Sequence, residues 1–338
     1  MNIGVLGAGS WGIALTVLLS QNGHNVRVWS IDKDEVDMLN EHREHLTKLP
    51  GVKISDTVVC STDIKTVVED TELIVMVVPS PFVRSTVKAV APYISNQIIV
   101  NASKGIEEDT LMILTDVIME EIPGIKVGVL SGPSHAEEVG KLMPTTVVAG
   151  AVDKESAMLI QDTFMSDNFR VYTSPDVIGI ELGGALKNVI ALAAGVADGL
   201  GCGDNTMAAI ITRGISEITR LGMAMGCCAE TFGGLSGIGD LIVTCASKHS
   251  RNRRAGVLIG QGKSYQEAMD EVKMVVEGVY SAKAALKLSR KYDVEMPIVE
   301  MVNRVLFDGL SAQDAMVLLL KRNRTSESDK FESNKLDW

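Results

Sequence analysis

Over residues 2–150, short apolar runs alternate with longer amphipathic stretches. The runs are Ile3–Leu6, Asn25–Trp29, Val58–Cys60, Leu73–Val78, Ile98–Asn101, Val127–Leu130 and Thr146–Ala149. Most are continuous in Val, Ile and Leu rather than alternating, which predicts strands buried on both faces and joined by right-handed crossovers into a mainly parallel sheet. A helix over about 154–165 and a strand over Phe169–Tyr172 extend this pattern. Pro79 and Pro81 interrupt the chain after the fourth run and Pro133 after the sixth. Loops are therefore expected at strand carboxyl ends, where open α/β sheets bind ligands.

From about Pro175 the strand pattern fades, and helical spacing takes over in Ile180–Leu200, Met207–Met225, Arg254–Gly260, Ser264–Met274, Ser281–Tyr292, Pro297–Leu306 and Ala312–Leu320. The predicted organisation is an α/β domain over residues 1–178 and an all-α domain over 179–324. Residues 325–338 are polar and charged apart from isolated Phe331, Leu336 and Trp338, and are expected to form a disordered tail.

A chain of 338 residues is long enough for two cores. Hydrophobic residues make up 46% and aromatics only 4%, so those cores must be aliphatic. A formal charge of -11 repels a polyphosphate backbone, and the single basic cluster, Arg251, Arg253 and Arg254, is too short for a nucleic-acid arm. The five cysteines form no CxxC pair and read as small buried hydrophobes in a reducing compartment. The five histidines do not cluster with cysteines or carboxylates at ligand spacing, so no metal site is predicted. With neither a signal-peptide pattern nor an uninterrupted apolar run of roughly 20 residues, the expectation is a cytoplasmic protein.

The first chemically specific pattern is Gly7-Ala8-Gly9-Ser10-Trp11-Gly12, between the first apolar run and a helix. In that context GxGxxG is a dinucleotide fingerprint: Gly7 permits the turn, Gly9 admits the pyrophosphate, and Gly12 lets helix and strand pack closely. The N-terminal half is thus predicted to be a Rossmann domain with a doubly wound, mainly parallel sheet. Trp11 either packs under the cofactor or lines its entrance. After the second strand, where an acid commonly binds the ribose of NAD, the chain has Ser30 and Ile31, followed by Asp32. Asp32 either fills that role or caps the next helix. Ser30 tolerates a 2'-phosphate, with Lys33 or Lys48 as counter-charges, so NADP is expected to be accepted alongside NAD.

Asn101-Ala102-Ser103-Lys104-Gly105 ends the fifth strand and aims Lys104 at the crevice; Gly132-Pro133-Ser134-His135-Ala136 ends the sixth. In Glu181-Leu182-Gly183-Gly184-Ala185-Leu186-Lys187-Asn188, two glycines interrupt an apolar helical run. Each costs about 1 kcal/mol against alanine, which points to close approach by a ligand or another backbone. Lys187 lies on the same face as Gly184, and its apolar setting should lower its pKa and suit it to proton transfer. Asp240, in Gly237-Ile238-Gly239-Asp240-Leu241, either supports that lysine or caps a helix. Ser250-Arg251-Asn252-Arg253-Arg254 reads as a helix start with Ser250 as N-cap, a natural phosphate site.

The motifs GAGSWG, NASKG, SGPSHA, ELGGALKN, GIGDLIVTC, SRNRR and VVEG occur in this order. Together they resemble the bacterial NAD(P)-dependent sn-glycerol-3-phosphate dehydrogenases from residue 1 to about 322. The resemblance implies a helical domain like that of 6-phosphogluconate dehydrogenase, a homodimer, and a supply of glycerol 3-phosphate for phospholipid synthesis. It implies Lys187 as general acid/base for reduction of dihydroxyacetone phosphate, with Asn188, Asp240 and Thr244 ordering the polar groups around it. Lys104 is similar to a lysine touching substrate and cofactor, and Gly132, Ser134, Ser250, Arg251 and Asn252 match substrate-holding positions. Ser10, Trp11, Ala136, Arg251, Val275 and Glu277 fall at cofactor-contacting positions. Ile31 stands where many relatives carry a basic residue, which weakens the case for a strong NADP preference. Rival expectations are a lysine-dependent dehydrogenase of β-hydroxyacids or ketopantoate, and a cofactor-sensing protein without turnover.

Overall fold

The computed structural model describes residues 1–324 and Glu327. The expected tail lies outside the described residues except for Glu327. Eight strands, β1 (Asn2–Leu6), β2 (Asn25–Trp29), β3 (Val59–Ser61), β4 (Leu73–Met76), β5 (Ile98–Asn101), β6 (Lys126–Ser131), β7 (Thr145–Ala151) and β8 (Phe169–Ser174), form one sheet in the order β3-β2-β1-β4-β5-β6-β7-β8. The strand order reverses between β1 and β4, the point at which doubly wound sheets open a crevice for ligands. All four residues of β4 and of β5 are buried. Separate aliphatic clusters cover the sheet's two faces, as the unbroken apolar runs require.

One pairing departs from the expected parallel pattern. β6 and β7 run antiparallel, with Gly128 opposite Ala151 and Leu130 opposite Ala149. The segment between them contains only the four-residue helix Ala136–Val139. Parallel neighbours are usually joined through a full crossover helix, which this segment lacks, and the chain folds back beside β6 instead.

The helical region begins with Val177–Gly199, whose N-cap Asp176 accepts the Gly179 amide at 3.0 Å. This helix is long and apolar enough to cross a membrane, yet 89% of its most apolar window is buried inside the protein, where it is the axis of the helical core. Asp204–Ala224, Asp240–Ala246, Arg251–Gly260 and Glu277–Lys291 pack against it. The contact with Arg251–Gly260 is backbone to backbone: a Cβ on Gly195 would lie 2.1 Å from the Arg253 carbonyl oxygen, and one on Gly256 2.2 Å from that of Leu192.

Because both neighbours are main chain, Gly256→Ala must push the two helices apart. We expect it to cost about 1–3 kcal/mol, the range for overpacking a dense core. Urea unfolding of the variant against the wild type measures this, and an unchanged midpoint would contradict the seam.

Candidate active site

Where sheet and helices meet, residues distant in sequence converge on one carboxylate. Asp240 is the first residue of Asp240–Ala246 and is 1% exposed. Its Oδ1 accepts a hydrogen bond from Lys187 Nζ, and its Oδ2 accepts one from Lys104 Nζ at 2.5 Å. Lys187 also donates to Thr244 Oγ1 at 2.7 Å, and that hydroxyl donates in turn to the Asp240 carbonyl at 2.6 Å. Lys104, reaching from the end of β5, further donates to the Gly132 carbonyl at 3.2 Å. Ser134 Oγ donates to the same carbonyl at 2.9 Å, so the loop after β6 shares the network.

The expected glycine-rich turn before Asp240 is a wide π-type turn, Leu235–Gly239, that runs directly into the helix. Gly239, not Asp240, is the N-cap, so the carboxylate is left for the two lysines. The interruption at Gly183 answers to this turn: a Cβ there would sit 2.6 Å from the Ser236 carbonyl oxygen. Another backbone, rather than a ligand, explains that glycine.

Burial opposes charge on Lys187, and the nearby Lys104 adds to that effect; although Asp240 pulls the other way, the ammonium is pushed down to about 7. Burial also opposes charge on Asp240, but the two lysines outweigh it and hold its pKa below the usual carboxylate value. When Lys187 is protonated, two cations around one anion leave surplus positive charge among buried groups. This balance favours an anionic ligand.

A second network continues from the same helix. Asn188, next to Lys187, accepts the Asn252 Nδ2 hydrogen at 2.9 Å, and Asn252 Oδ1 accepts the Gly278 amide at 2.8 Å. Ser250 caps Arg251–Gly260, as expected, by accepting the Arg253 amide at 3.2 Å. Arg251 donates to the Val275 carbonyl at 3.2 Å. Glu277 accepts the Ser80 amide at 3.1 Å and its hydroxyl at 2.6 Å, tying the helical region to the loop after β4. Burial raises the Glu277 pKa despite the hydrogen bonds from Ser80 and the charge of Arg251. The helix start that carries Arg251 is thus joined, through Asn252, to the residue that follows Lys187.

At the dinucleotide turn, Gly7 takes φ +122°, its amide donates to the Trp29 carbonyl at 2.9 Å, and a Cβ on Gly12 would lie 1.9 Å from the Gly7 oxygen. The helix Ser10–Gln21 starts from Gly9 with no side-chain cap, and a Cβ on Gly9 would meet nothing within 4 Å. Open space in front of free helix-start amides fits the pyrophosphate of NAD(P). Trp11 packs partly buried against the sheet core, and Ala136 begins a second uncapped helix start after β6. Ser30, Ile31 and Lys48 form a separate group: Lys48 is joined to the turn through the Ser10 hydroxyl, which donates to the Lys48 carbonyl at 2.7 Å. Asp32 caps the helix Lys33–His42, accepting the Asp34 amide at 2.9 Å.

Two site residues escaped the sequence. Glu181, one turn and a half before Lys187, accepts hydrogen bonds from Asn101 and from the amide and hydroxyl of Thr115. It anchors the long helix Val177–Gly199 to β5, and burial raises its pKa to about 7. An acid inside an apolar run was its only signal. Ser80, partner of Glu277, sits in a Pro-Ser-Pro turn that reads as a plain loop.

Residues 2–157 match the N-terminal domain of NAD-dependent glycerol-3-phosphate dehydrogenase, and residues 176–317 match its C-terminal domain. A glycerol-3-phosphate dehydrogenase [NAD(P)+] of Agathobacter rectalis is 59% identical over 337 residues, 99% of each chain. The chain belongs to the NAD-dependent glycerol-3-phosphate dehydrogenase family. Within this family of NAD(P)-dependent oxidoreductases, the crystal structure of the glycerol-3-phosphate dehydrogenase from Coxiella burnetii superposes with a TM-score of 0.92 at 36% identity, covering 95% of this chain and 98% of that one. A ketopantoate reductase from Ralstonia eutropha shares the fold alone, at a TM-score of 0.62 and 15% identity.

Asn252→Ala should leave the Gly278 amide and the Asn188 side-chain Oδ1 buried without partners. We expect a loss of about 2 kcal/mol, the order for unsatisfied buried polar groups. Chemical denaturation checks this, and a difference below about 0.5 kcal/mol would show that the asparagine bridge is not made in solution.

Proposed function

We propose that this chain catalyses the reversible reduction of dihydroxyacetone phosphate to sn-glycerol 3-phosphate with Lys187 as the general acid/base. The carrying observation is the buried pair of ammonium groups around Asp240, beside an arginine-bearing helix start and an open dinucleotide cradle. In the reducing direction Lys187 Nζ gives a proton to the C2 oxygen; in the oxidising direction the neutral amine takes it back. A pKa near 7 keeps both forms populated at neutral pH.

NAD(P)H, when bound along Gly7, Gly9, Ser10, Trp11 and Gly12 with Ala136, Val275 and Glu277 further along the crevice, supplies the hydride. Asp240 fixes the direction of the Lys187 N–H bonds. Thr244, whose own hydrogen is committed to the Asp240 carbonyl, serves Lys187 only as an acceptor. Asn188 holds Asn252 in place. Lys104, paired with Asp240, meets the substrate oxygens together with Gly132 and Ser134. Arg251 and the amides ahead of the Ser250-capped Arg253 take the phosphate, a dianion that the surplus charge of the cleft favours. Residues 1–178 act as the cofactor domain and 179–324 as the substrate domain. The enzyme works in the cytoplasm as a homodimer and supplies glycerophospholipid synthesis.

Lys187→Ala is expected to lower turnover with dihydroxyacetone phosphate by at least about a hundredfold, the scale of general acid catalysis, while cofactor binding changes little. Absorbance of NADH and NADPH follows this, and full activity in the variant would remove Lys187 from the reaction. The reducing direction needs the protonated lysine, so its kcat/KM should fall as pH rises through about 7, and kcat/KM for oxidation should rise over the same interval. Parallel pH profiles in the two directions would contradict the assignment.

A further inference from the structure

We propose that Glu35 is the residue that sets cofactor choice, presenting a fixed carboxylate to the adenosine ribose and so favouring NAD(H) over NADP(H). This inference rests on the cofactor placement proposed above. β2 ends at Trp29, and the strand end where doubly wound folds read the ribose carries Ser30 and Ile31, neither of them acidic. Ile31 is apolar and 85% exposed. Asp32, the only acid at the usual place, is turned to capping its helix.

Glu35, in the first turn of Lys33–His42, folds back over the strand end. Its Oε2 accepts the Ser30 hydroxyl at 2.8 Å, and its Oε1 accepts a hydrogen bond from Lys48 Nζ, with His45 Nε2 3.4 Å away. The Lys48 carbonyl in turn receives the Ser10 hydroxyl, so this carboxylate is fastened to the dinucleotide turn itself. Burial opposes its charge, but His45, Lys48 and Ser30 outweigh burial and hold the carboxyl down at about 2. The carboxylate is therefore anionic at any working pH.

The two lysines that could meet a 2'-phosphate are both committed. Lys33 is paired with Asp37, and Lys48 with Glu35. A 2'-phosphate would bring nearly two negative charges against an anionic carboxylate whose neighbours Lys48 and His45 already face it, whereas a 2'-hydroxyl can donate to that carboxylate. The specificity then lies in a residue beyond the usual acidic position, reaching back to it from the helix.

The test is calorimetric titration of NADH and of NADPH into the substrate-free chain, with kcat/KM for each as a second readout. We expect the wild type to bind NADH at least about tenfold more tightly than NADPH, the scale of one partly screened charge contact. Glu35→Gln should narrow that ratio at least about fivefold, because it removes the repulsion and frees Lys48. Lys48→Ala should widen it, because the carboxylate loses its counter-charge. Equal or tighter NADPH binding by the wild type overturns the proposal, as does an unchanged ratio in folded Glu35→Gln; should that variant not fold, Lys48→Ala decides by the direction of its change. Failure of both cofactors to bind the wild type overturns the cofactor placement and the selectivity with it.

Discussion

A single carboxylate enclosed between two ammonium groups is the constraint around which the molecule is arranged. Each of the three charges would be costly to bury alone, and the lysines come from opposite sides of the domain junction, Lys104 from the sheet and Lys187 from the long helix. Holding them together requires the π-type turn that delivers Asp240, the bare backbone at Gly183 that lets the turn approach, and the Glu181 anchor that ties the helix to β5. The charge balance that suits an anionic substrate and the packing that joins the two halves are thus one arrangement.

Much of this was legible in the residues. The aliphatic runs fall on the observed strands to within a few residues, because a strand buried on both faces leaves no room for polar alternation. Lys104, Lys187, Asp240, Thr244, Gly132 and Ser134, drawn from four separate motifs, share one hydrogen-bond network. The antiparallel turn of β7 was not legible, since strand direction depends on what the connection can span rather than on the composition of the strand.

Glu35 was hidden for a different reason. A carboxylate in the first turn of a helix reads as complementing the helix dipole, and nothing local reveals that it folds back onto a serine five positions earlier. Lys33 and Lys48, read as counter-charges for a phosphate, turn out to be neutralised by carboxylates of the chain itself. Pairings of this kind are set in three dimensions and leave no periodic trace.

The glycine seam between Val177–Gly199 and Arg251–Gly260 has a mechanical consequence. Two helices whose main chains touch cannot slide or roll past one another without separating, so Lys187 and Arg251 ride on a common strut. Any hinge motion that shuts the crevice must move this strut as a unit against the sheet. The spacing between Lys187 and Arg251 is then held by main chain against main chain, and not by side chains that could repack.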